Sequence, residues 1–321
     1  MSKIIITGGG GFIGTQVGWC LHEAGHDVTI VDREPPVHFP PGIYKVADYL
    51  DFFKENTVNY DTVVHLAAEH LVEQSVAEPE KYYTNNVIKM KGMLECMLAA
   101  GIKNIIFSSS GNTYGRQGLA GPLKEEGLYY DPENPYASSK VAGELLIKDY
   151  ARAYGIKFVT FRYFNAAGAD PEARFGYTQR PATHVIPILC NKIFNDDLFT
   201  ICGSDYHTKD GTCIRDYVHV ADLARAHLLA LDILDTDLAN QAFNIGGGSD
   251  GISVKELCKY ASKIVGKEAK VVFGARRAGD PAELVANINK AKEILKWEPT
   301  YGVHDIIKHA WVWEQKFEAS K

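Results

Sequence analysis

Tyr136 and Lys140 stand four residues apart in NPYASSK (134–140), where Pro135 opens a helical pattern that continues through VAGELL. Residues i and i+4 share one helix face, so this spacing sets an ammonium beside a phenol. A free phenol ionises near pH ~10, and bringing it to neutral pH needs about 4 kcal/mol of preferential phenolate stabilisation. A lysine and a second nearby cation can supply that. Ser108, Ser109 and Ser110 close a β-branched run that reads as a parallel strand, and ligands bind at the carboxyl ends of such strands. Y-x-x-x-K alone is common on helix surfaces. With serines at a strand end it becomes a proton-handling site beside a hydride acceptor.

A second constellation points to that acceptor. The apolar run KIIIT (3–7) leads into TGGGGFIG (7–14) and then a helix. Gly8, Gly11 and Gly14 give G-x-x-G-x-x-G, the spacing of a turn that brings backbone N–H groups and a helix N-terminus against a pyrophosphate. Asp32 ends the second apolar run, 18 residues past Gly14. A carboxylate there accepts from an adenosine ribose and repels a 2′-phosphate, which favours NAD over NADP. Arg33 beside it pulls the other way, since an arginine can stack on adenine or welcome that phosphate.

The elements that must position these groups follow from periodicity. β-branched runs at 3–7, 27–32, 61–66, 104–109 and 156–163 alternate with helical spacing at 11–24, 79–100 and 136–154. That alternation predicts βαβ units, and the nearly all-apolar strands predict a parallel sheet buried on both faces. The later half predicts helices at 182–195, 219–234, 253–266 and 303–318, with short strands at 197–202, 214–218, 241–245 and 270–273. The expected architecture is α/β: a Rossmann-type doubly wound parallel sheet over 1–165, and a smaller mixed α/β substrate-binding lobe over 166–321, with chain crossings between them.

Composition bounds the rest. The chain has 321 residues, 46% hydrophobic and 23% charged, which excludes a disordered, collagen-like or coiled-coil protein. A net charge of −6 with no basic stripe argues against nucleic acid as a partner. Six cysteines form no C-x-x-C pair, which predicts reduced thiols in a cytoplasmic protein and no metal site. No apolar run is long enough for a membrane span, and Ile4-Ile5-Ile6 runs straight into glycines rather than forming a signal-peptide core.

Ten segments together resemble the extended short-chain dehydrogenase/reductase superfamily, and within it the UDP-glucose 4-epimerase family. They are TGGGGFIG (7–14), HLAA (65–68), YYTNNV (82–87), FSSSGNTYG (107–115), NPYASSK (134–140), FRYFNAAGA (161–169), THVIP (183–187), DYHTKDGTCIRDYVHVADLARAH (205–227), FNIGGG (243–248) and RRAGDP (276–281). The first five mark the superfamily, and the segment at 205–227 is much more specific to the 4-epimerases. The resemblance implies NAD held by Gly8, Gly11, Phe12 and Ile13 at the pyrophosphate and by Asp32 at the ribose. It sets Asp48 and Tyr49 by the adenine, with Leu66, Ala67, Ala68, Asn85, Ser108 and Tyr163 along the rest of the cofactor. Tyr136 would be the base, Lys140 would tune it and hold the nicotinamide ribose, and Ser110 would bond the sugar O4, with Asn112 close by. Asn165, Arg215 and Arg277 would grip the diphosphate, a role that suits the planar guanidinium fork. Asp280 would take the uridine ribose, and His184 and Val185 would lie along the nucleotide. Without that motif, Arg215 reads equally as a salt bridge to Asp216, and Arg277 as a solvated charge.

The activity this implies is redox-neutral inversion at C4 of a UDP-hexose (UDP-glucose/UDP-galactose) through a 4-keto intermediate, by a homodimer pairing the helices near 79–100 and 136–154. Alternatives are a 4-epimerase of a UDP-N-acetylhexosamine, UDP-pentose or UDP-uronate, an NAD-dependent dehydratase or decarboxylase, and a non-catalytic NAD sensor. Related dehydratases carry an Asp-Glu pair after the strand-end serines, where this chain reads Ser109-Ser110-Gly111-Asn112-Thr113. Three features depart from the family's pattern. Glu69-His70 stands where a lysine often reaches the cofactor. The loop EPPVHFPPG (34–42) is short and proline-rich. Leu284 holds the position expected to gate the sugar's C2 substituent. His219, His227, Tyr82 and Tyr83 read as helix packing.

Overall fold

The alternating faces of the first strand set the layers. In β1 (Lys3–Thr7), Ile4 and Ile6 enter one buried cluster and Ile5 another on the opposite face, as the two-residue strand period requires. The structure, a computed structural model, describes residues 1–35, 43–55, 60–115, 121–126, 132–277 and 280–321. After β1 come α1 (Phe12–Glu23), β2 (Asp27–Asp32), β3 (Tyr44–Val46), α2 (Tyr49–Glu55), β4 (Thr62–His65), α3 (Val72–Ala77), α4 (Pro79–Tyr83), α5 (Lys89–Ala99), β5 (Asn104–Ser110), α6 (Pro135–Tyr154) and β6 (Lys157–Tyr163). A π-helical turn at Thr84–Ile88 joins α4 to α5. The proline-rich loop noted in the sequence lies outside the described residues from 36 to 42.

The later half runs β7 (Asn165–Ala167), α7 (Val185–Phe194), β8 (Phe199–Cys202), β9 (Ile214–Arg215), β10 (Tyr217–His219), α8 (Val220–Leu234), β11 (Gln241–Ile245), β12 (Ile252–Ser253), α9 (Val254–Val265), β13 (Val271–Gly274), β14 (Glu283–Leu284) and α10 (Val303–Ala319). The main sheet has seven strands in the order β11-β6-β5-β4-β1-β2-β3, every adjacent pair parallel. One face is covered by α1 and α8, whose Val17, Leu21, Leu223 and Ala230 pack on Ile30, Val64, Val159 and Phe243. The other carries α2, α5 and α6, through Phe52, Phe53, Met90, Met93, Leu94 and Ile147. A separate cluster joins α7, α9 and α10 to β8 and β12. Past residue 166 the chain crosses back more than once: α8 covers the sheet and β11 extends its edge, and after α9 the residues Ile288, Ala291, Leu295 and Trp297 join the same cluster before α10.

Two connections aim the site. Strand order reverses between β1 and β4, and all seven strands run the same way, so their carboxyl ends open one crevice at that switch point. Helix α6 starts where it does because the Asn134 side chain accepts from the Ala137 N–H at 2.9 Å and Pro135 fits the first turn. It ends at Gly155, whose φ of 73° suits the left-handed cap.

Candidate active site

The turn after β1 is too tight for a side chain at Gly8 and Gly14. Gly8 has φ +72°, and a Cβ there would sit 2.6 Å from the Ala67 backbone. A Cβ on Gly14 would meet the Gly8 carbonyl oxygen at 2.4 Å. Gly11 begins α1 without a side-chain cap, and the first turn holds no acid. The free N–H groups and helix dipole therefore face the crevice. At the end of β2, Asp32 Oδ2 accepts from the Gly10 N–H at 2.9 Å, which holds a carboxylate beside that turn. These features fit a dinucleotide: a bare N-terminus for the pyrophosphate and an acid for a ribose.

The proton-handling groups meet at the ends of β5 and β6. Tyr136 and Lys140 project from the first turns of α6 as the four-residue spacing predicts. Lys140 is buried, with Nζ donating to the Ser108 carbonyl at 2.7 Å and lying 6.0 Å from the centre of the Tyr136 ring. Burial holds its ammonium down to about 7, with the Glu144 carboxylate pulling partly back. Burial also pushes the Tyr136 phenol above its ordinary value, partly offset by the facing Ser110 hydroxyl. Ser110 Oγ in turn accepts from the Asn112 N–H at 3.2 Å. The chain by itself thus keeps Tyr136 protonated at neutral pH.

Every residue the sequence singles out for cofactor or substrate lines one cleft along the strand ends. At its cofactor end are Gly8, Gly11, Phe12, Ile13, Asp32, Asp48, Tyr49, Leu66, Ala67, Ala68 and Asn85. At its centre are Ser108, Ser110, Asn112, Tyr136, Lys140 and Tyr163, and beyond them Asn165, His184, Val185, Arg215, Arg277, Asp280 and Leu284. In this state Arg215 is engaged, donating to Asp280, to the Ile214 carbonyl at 2.7 Å and to the Pro281 carbonyl at 2.7 Å. Asp216 is not its partner. That buried carboxylate accepts from the N–H of Gly247 at 2.6 Å and of Ala286 at 3.1 Å, and burial raises it to about 6. Arg277 is exposed at the rim, and residues 278 and 279 of its motif lie outside the described set.

Glu69 and His70 have definite partners. Glu69 pairs with Lys81 at 3.4 Å and Arg33 at 3.2 Å. The His70 ring stacks on His184 at 5.8 Å. Burial lowers both imidazoles, His184 to about 4. His184 Nδ1 also lies 3.2 Å from the Tyr177 hydroxyl.

Several supporting residues carry no sequence signal of their own. Asn86, in the π-helical turn, accepts from the Glu69 N–H at 2.8 Å and donates to the Glu69 carbonyl at 3.0 Å and to Ser139 at 2.9 Å. It thereby ties the HLAA loop to α6. Behind the serines, Arg162 forks onto Glu144 at 2.9 and 2.7 Å, and Ser109 donates to the same carboxylate at 2.6 Å. Tyr82 is a buried packing residue whose hydroxyl donates to the Leu71 carbonyl at 2.6 Å and whose ring meets Tyr136 edge-on at 6.4 Å. Tyr83 is exposed. His219 caps α8 by accepting from the Ala221 N–H at 3.0 Å.

Comparison with known proteins agrees with this geometry. Residues 4–246 match the model of the NAD dependent epimerase/dehydratase family. The UDP-glucose 4-epimerase of Lacticaseibacillus casei is 41% identical over 324 residues, covering 97% of this chain and 96% of that protein. The UDP-glucose 4-epimerase of Halalkalibacterium halodurans is 40% identical over 323 residues, covering 98% of this chain and 96% of that protein. The crystal structure of UDP-glucose 4-epimerase from Bifidobacterium longum, in complex with NAD+ and UDP, superposes with a TM-score of 0.91 at 32% identity and covers 98% of each chain. With a glycine turn that admits no Cβ, a strand-end serine, and a tyrosine and lysine on one helix face, this chain belongs to the NAD dependent epimerase/dehydratase family.

Proposed function

We propose that this chain catalyses NAD-dependent, redox-neutral epimerisation at C4 of a UDP-hexose, interconverting UDP-glucose and UDP-galactose through a 4-keto sugar. The observation that carries the reading is the meeting of Ser110, Tyr136 and Lys140 at the end of β5, in a cleft that also opens onto the glycine turn. Gly8, Gly11 and Asp32 would hold NAD, which would supply a hydride acceptor and a cationic ring.

The chain's own groups do the rest. Tyr136 takes the proton of the sugar 4-OH and returns it after the sugar has presented its other face. Ser110 orients the sugar O4. Lys140, fixed on the Ser108 carbonyl, adds positive charge where the phenolate forms. Arg215, Arg277 and Asp280 anchor the nucleotide, so binding energy remote from C4 retains the keto sugar. Arg215 donates to Asp280, so the groups that would take the diphosphate and the ribose stand side by side. The first 165 residues supply the cofactor side and the remainder mainly the sugar-nucleotide side.

A dehydratase reading is weaker, because Gly111-Asn112-Thr113 puts no acid next to Ser110. A UDP-N-acetylhexosamine, UDP-pentose or UDP-uronate substrate shares the same C4 chemistry, and Leu284 beside the Arg215 strand gates the choice. A homodimer forms through the helices of 79–99 and 135–154, where Tyr83, Ile88, Leu145 and Tyr154 are exposed. Free thiols fit a cytoplasmic enzyme. Among the described residues, no helix is long and apolar enough to cross a membrane.

The test is product analysis with a panel of UDP-sugars. UDP-galactose should be converted to a mixture with UDP-glucose, while Tyr136→Phe loses about 10²–10⁴-fold in turnover and keeps its NAD. A wild-type protein that carries NAD but leaves every UDP-sugar unchanged would favour the sensor. Unimpaired turnover by Tyr136→Phe would reject the role given to that residue.

A further inference from the structure

His227 is a buried titratable group that the mechanism leaves idle, yet it is bonded to the cleft wall. It sits on α8, on the far side of β6, with no exposed surface. Its Nδ1 lies 2.9 Å from the Leu223 carbonyl oxygen, and its Nε2 lies 2.7 Å from the Tyr163 hydroxyl. A carbonyl oxygen can only accept, so Nδ1 carries a proton. Burial holds imidazolium formation down to about 4. At neutral pH the ring therefore has one proton, and Nε2 is bare. The Tyr163 hydroxyl must then donate inward, away from the cleft. Phe161 meets the imidazole edge-on at 5.0 Å and fixes its plane.

Tyr163 matters because it is the second phenol at the reaction centre. It ends β6, pairs in register with Ser110, and lines the cleft with Ser108, Tyr136 and Lys140. Burial raises the Tyr163 phenol well above its ordinary value, a hydrogen bond from the Ser108 side chain offsets part of that, and the nearby Tyr136 phenol opposes its ionisation further. A free hydroxyl at that place could take or give a proton in competition with Tyr136, or swing its ring into the cofactor's space.

We propose that His227 is a positioning residue: by accepting the Tyr163 hydroxyl proton it removes that phenol from proton exchange, fixes its ring at the cleft wall, and leaves exchange at the sugar to Tyr136. The hydrogen-bond direction rests on the two contacts of the imidazole and on its being neutral in its buried place, and the catalytic consequence rests on the epimerase reading. Since Tyr163 touches the reaction centre and His227 does not, His227 acts only through Tyr163.

Two measurements test this. The first needs no substrate. In ¹⁵N spectra of the holoenzyme, His227 shows the neutral tautomer protonated at Nδ1 and does not titrate between about pH 6 and 9. In Tyr163→Phe its Nε2 resonance moves while the Nδ1 resonance stays. A ring protonated at Nε2, a ring that titrates, or an Nε2 resonance indifferent to Tyr163→Phe overturns the proposal. The second is a kinetic cycle. His227→Leu lowers kcat about tenfold, the worth of one buried hydrogen bond, with KM little changed. His227→Gln, whose amide oxygen reaches the Nε2 position, keeps most of the activity. In the Tyr163→Phe background His227→Leu costs nothing further, and an equal loss in both backgrounds contradicts the proposal. Should His227→Leu not fold, the spectrum of Tyr163→Phe decides. A wild-type enzyme inert on every UDP-sugar would remove the epimerase reading and leave the tautomer prediction standing.

Discussion

Lys140 donates to the Ser108 carbonyl at 2.7 Å while its ammonium lies 6.0 Å from the centre of the Tyr136 ring. The lysine is thus fixed by the strand that carries the serines, beside the tyrosine ring. Its ionisation falls from 10.5 to about 7 because it is buried. Burying an ammonium in this way is a cost in stability.

The pH dependence of that cost has a definite sign. Between pH 7 and 10.5 the unfolded chain binds the lysine proton and the folded chain has lost it. Unfolding then takes up a proton, so stability rises with pH across that window, and the penalty is greatest below it. Lys140→Met removes the penalty. Relative to wild type, it should gain most stability near pH 6 and progressively less towards pH 10, on a scale of a few kcal/mol. Thermal unfolding of the two proteins without coenzyme across that range checks this, and a difference that does not change with pH would contradict it. The same variant should lose epimerisation.

The Glu144–Arg162 pair predicts a loss in the opposite sense. Both side chains are almost fully buried, and the Glu144 carboxylate also accepts from the Ser109 hydroxyl. Burial alone would raise the Glu144 carboxyl, but the Arg162 guanidinium outweighs it and holds the carboxyl below its usual range. Glu144→Gln leaves Arg162 charged and unmatched in the interior, which should cost about 3–5 kcal/mol. Urea unfolding at neutral pH measures it, and a change under about 1 kcal/mol would mean that Arg162 finds another partner.

Much of this was legible in the sequence, for reasons visible in particular elements. The strongly patterned pieces, β1, α1, β5 and α6, lie within a residue or two of where periodicity and the Pro135 start signal put them. Weaker pieces escaped. The run 214–218 reads as one strand, but it is two, parted at Asp216, whose buried carboxylate takes backbone N–H groups from two other segments. The helix expected at 79–100 contains a π-helical turn at Thr84–Ile88, and no composition rule signals the extra residue that puts Asn85 in the cleft while Asn86 clamps Glu69. The contacts of Arg215 with Asp280, and of His227 with Tyr163, join residues 65 and 64 positions apart. Chain spacing says nothing about such pairs until the sheet has placed its strand ends together.

Asp32 should set the choice of coenzyme. Its carboxylate is held beside the glycine turn by the Gly10 N–H at 2.9 Å, and neighbouring Arg33 is drawn to Glu69 at 3.2 Å. Asp32→Ala should weaken NAD retention about tenfold, the worth of a charge-assisted hydrogen bond, and let NADP compete. Coenzyme content after gel filtration with each dinucleotide checks this. Undiminished preference for NAD would place the ribose contact elsewhere.

The most direct test of the central claim is epimerisation of UDP-galactose in D2O, with deuterium at C4 followed by NMR. If hydrogen leaves C4 as hydride and returns from the bound coenzyme while Tyr136 handles only the hydroxyl proton, UDP-glucose should form with no solvent deuterium at C4. Deuterium at that carbon would mean C4 is inverted by proton abstraction, and an unchanged sugar would mean it is not inverted at all. Either result contradicts the account.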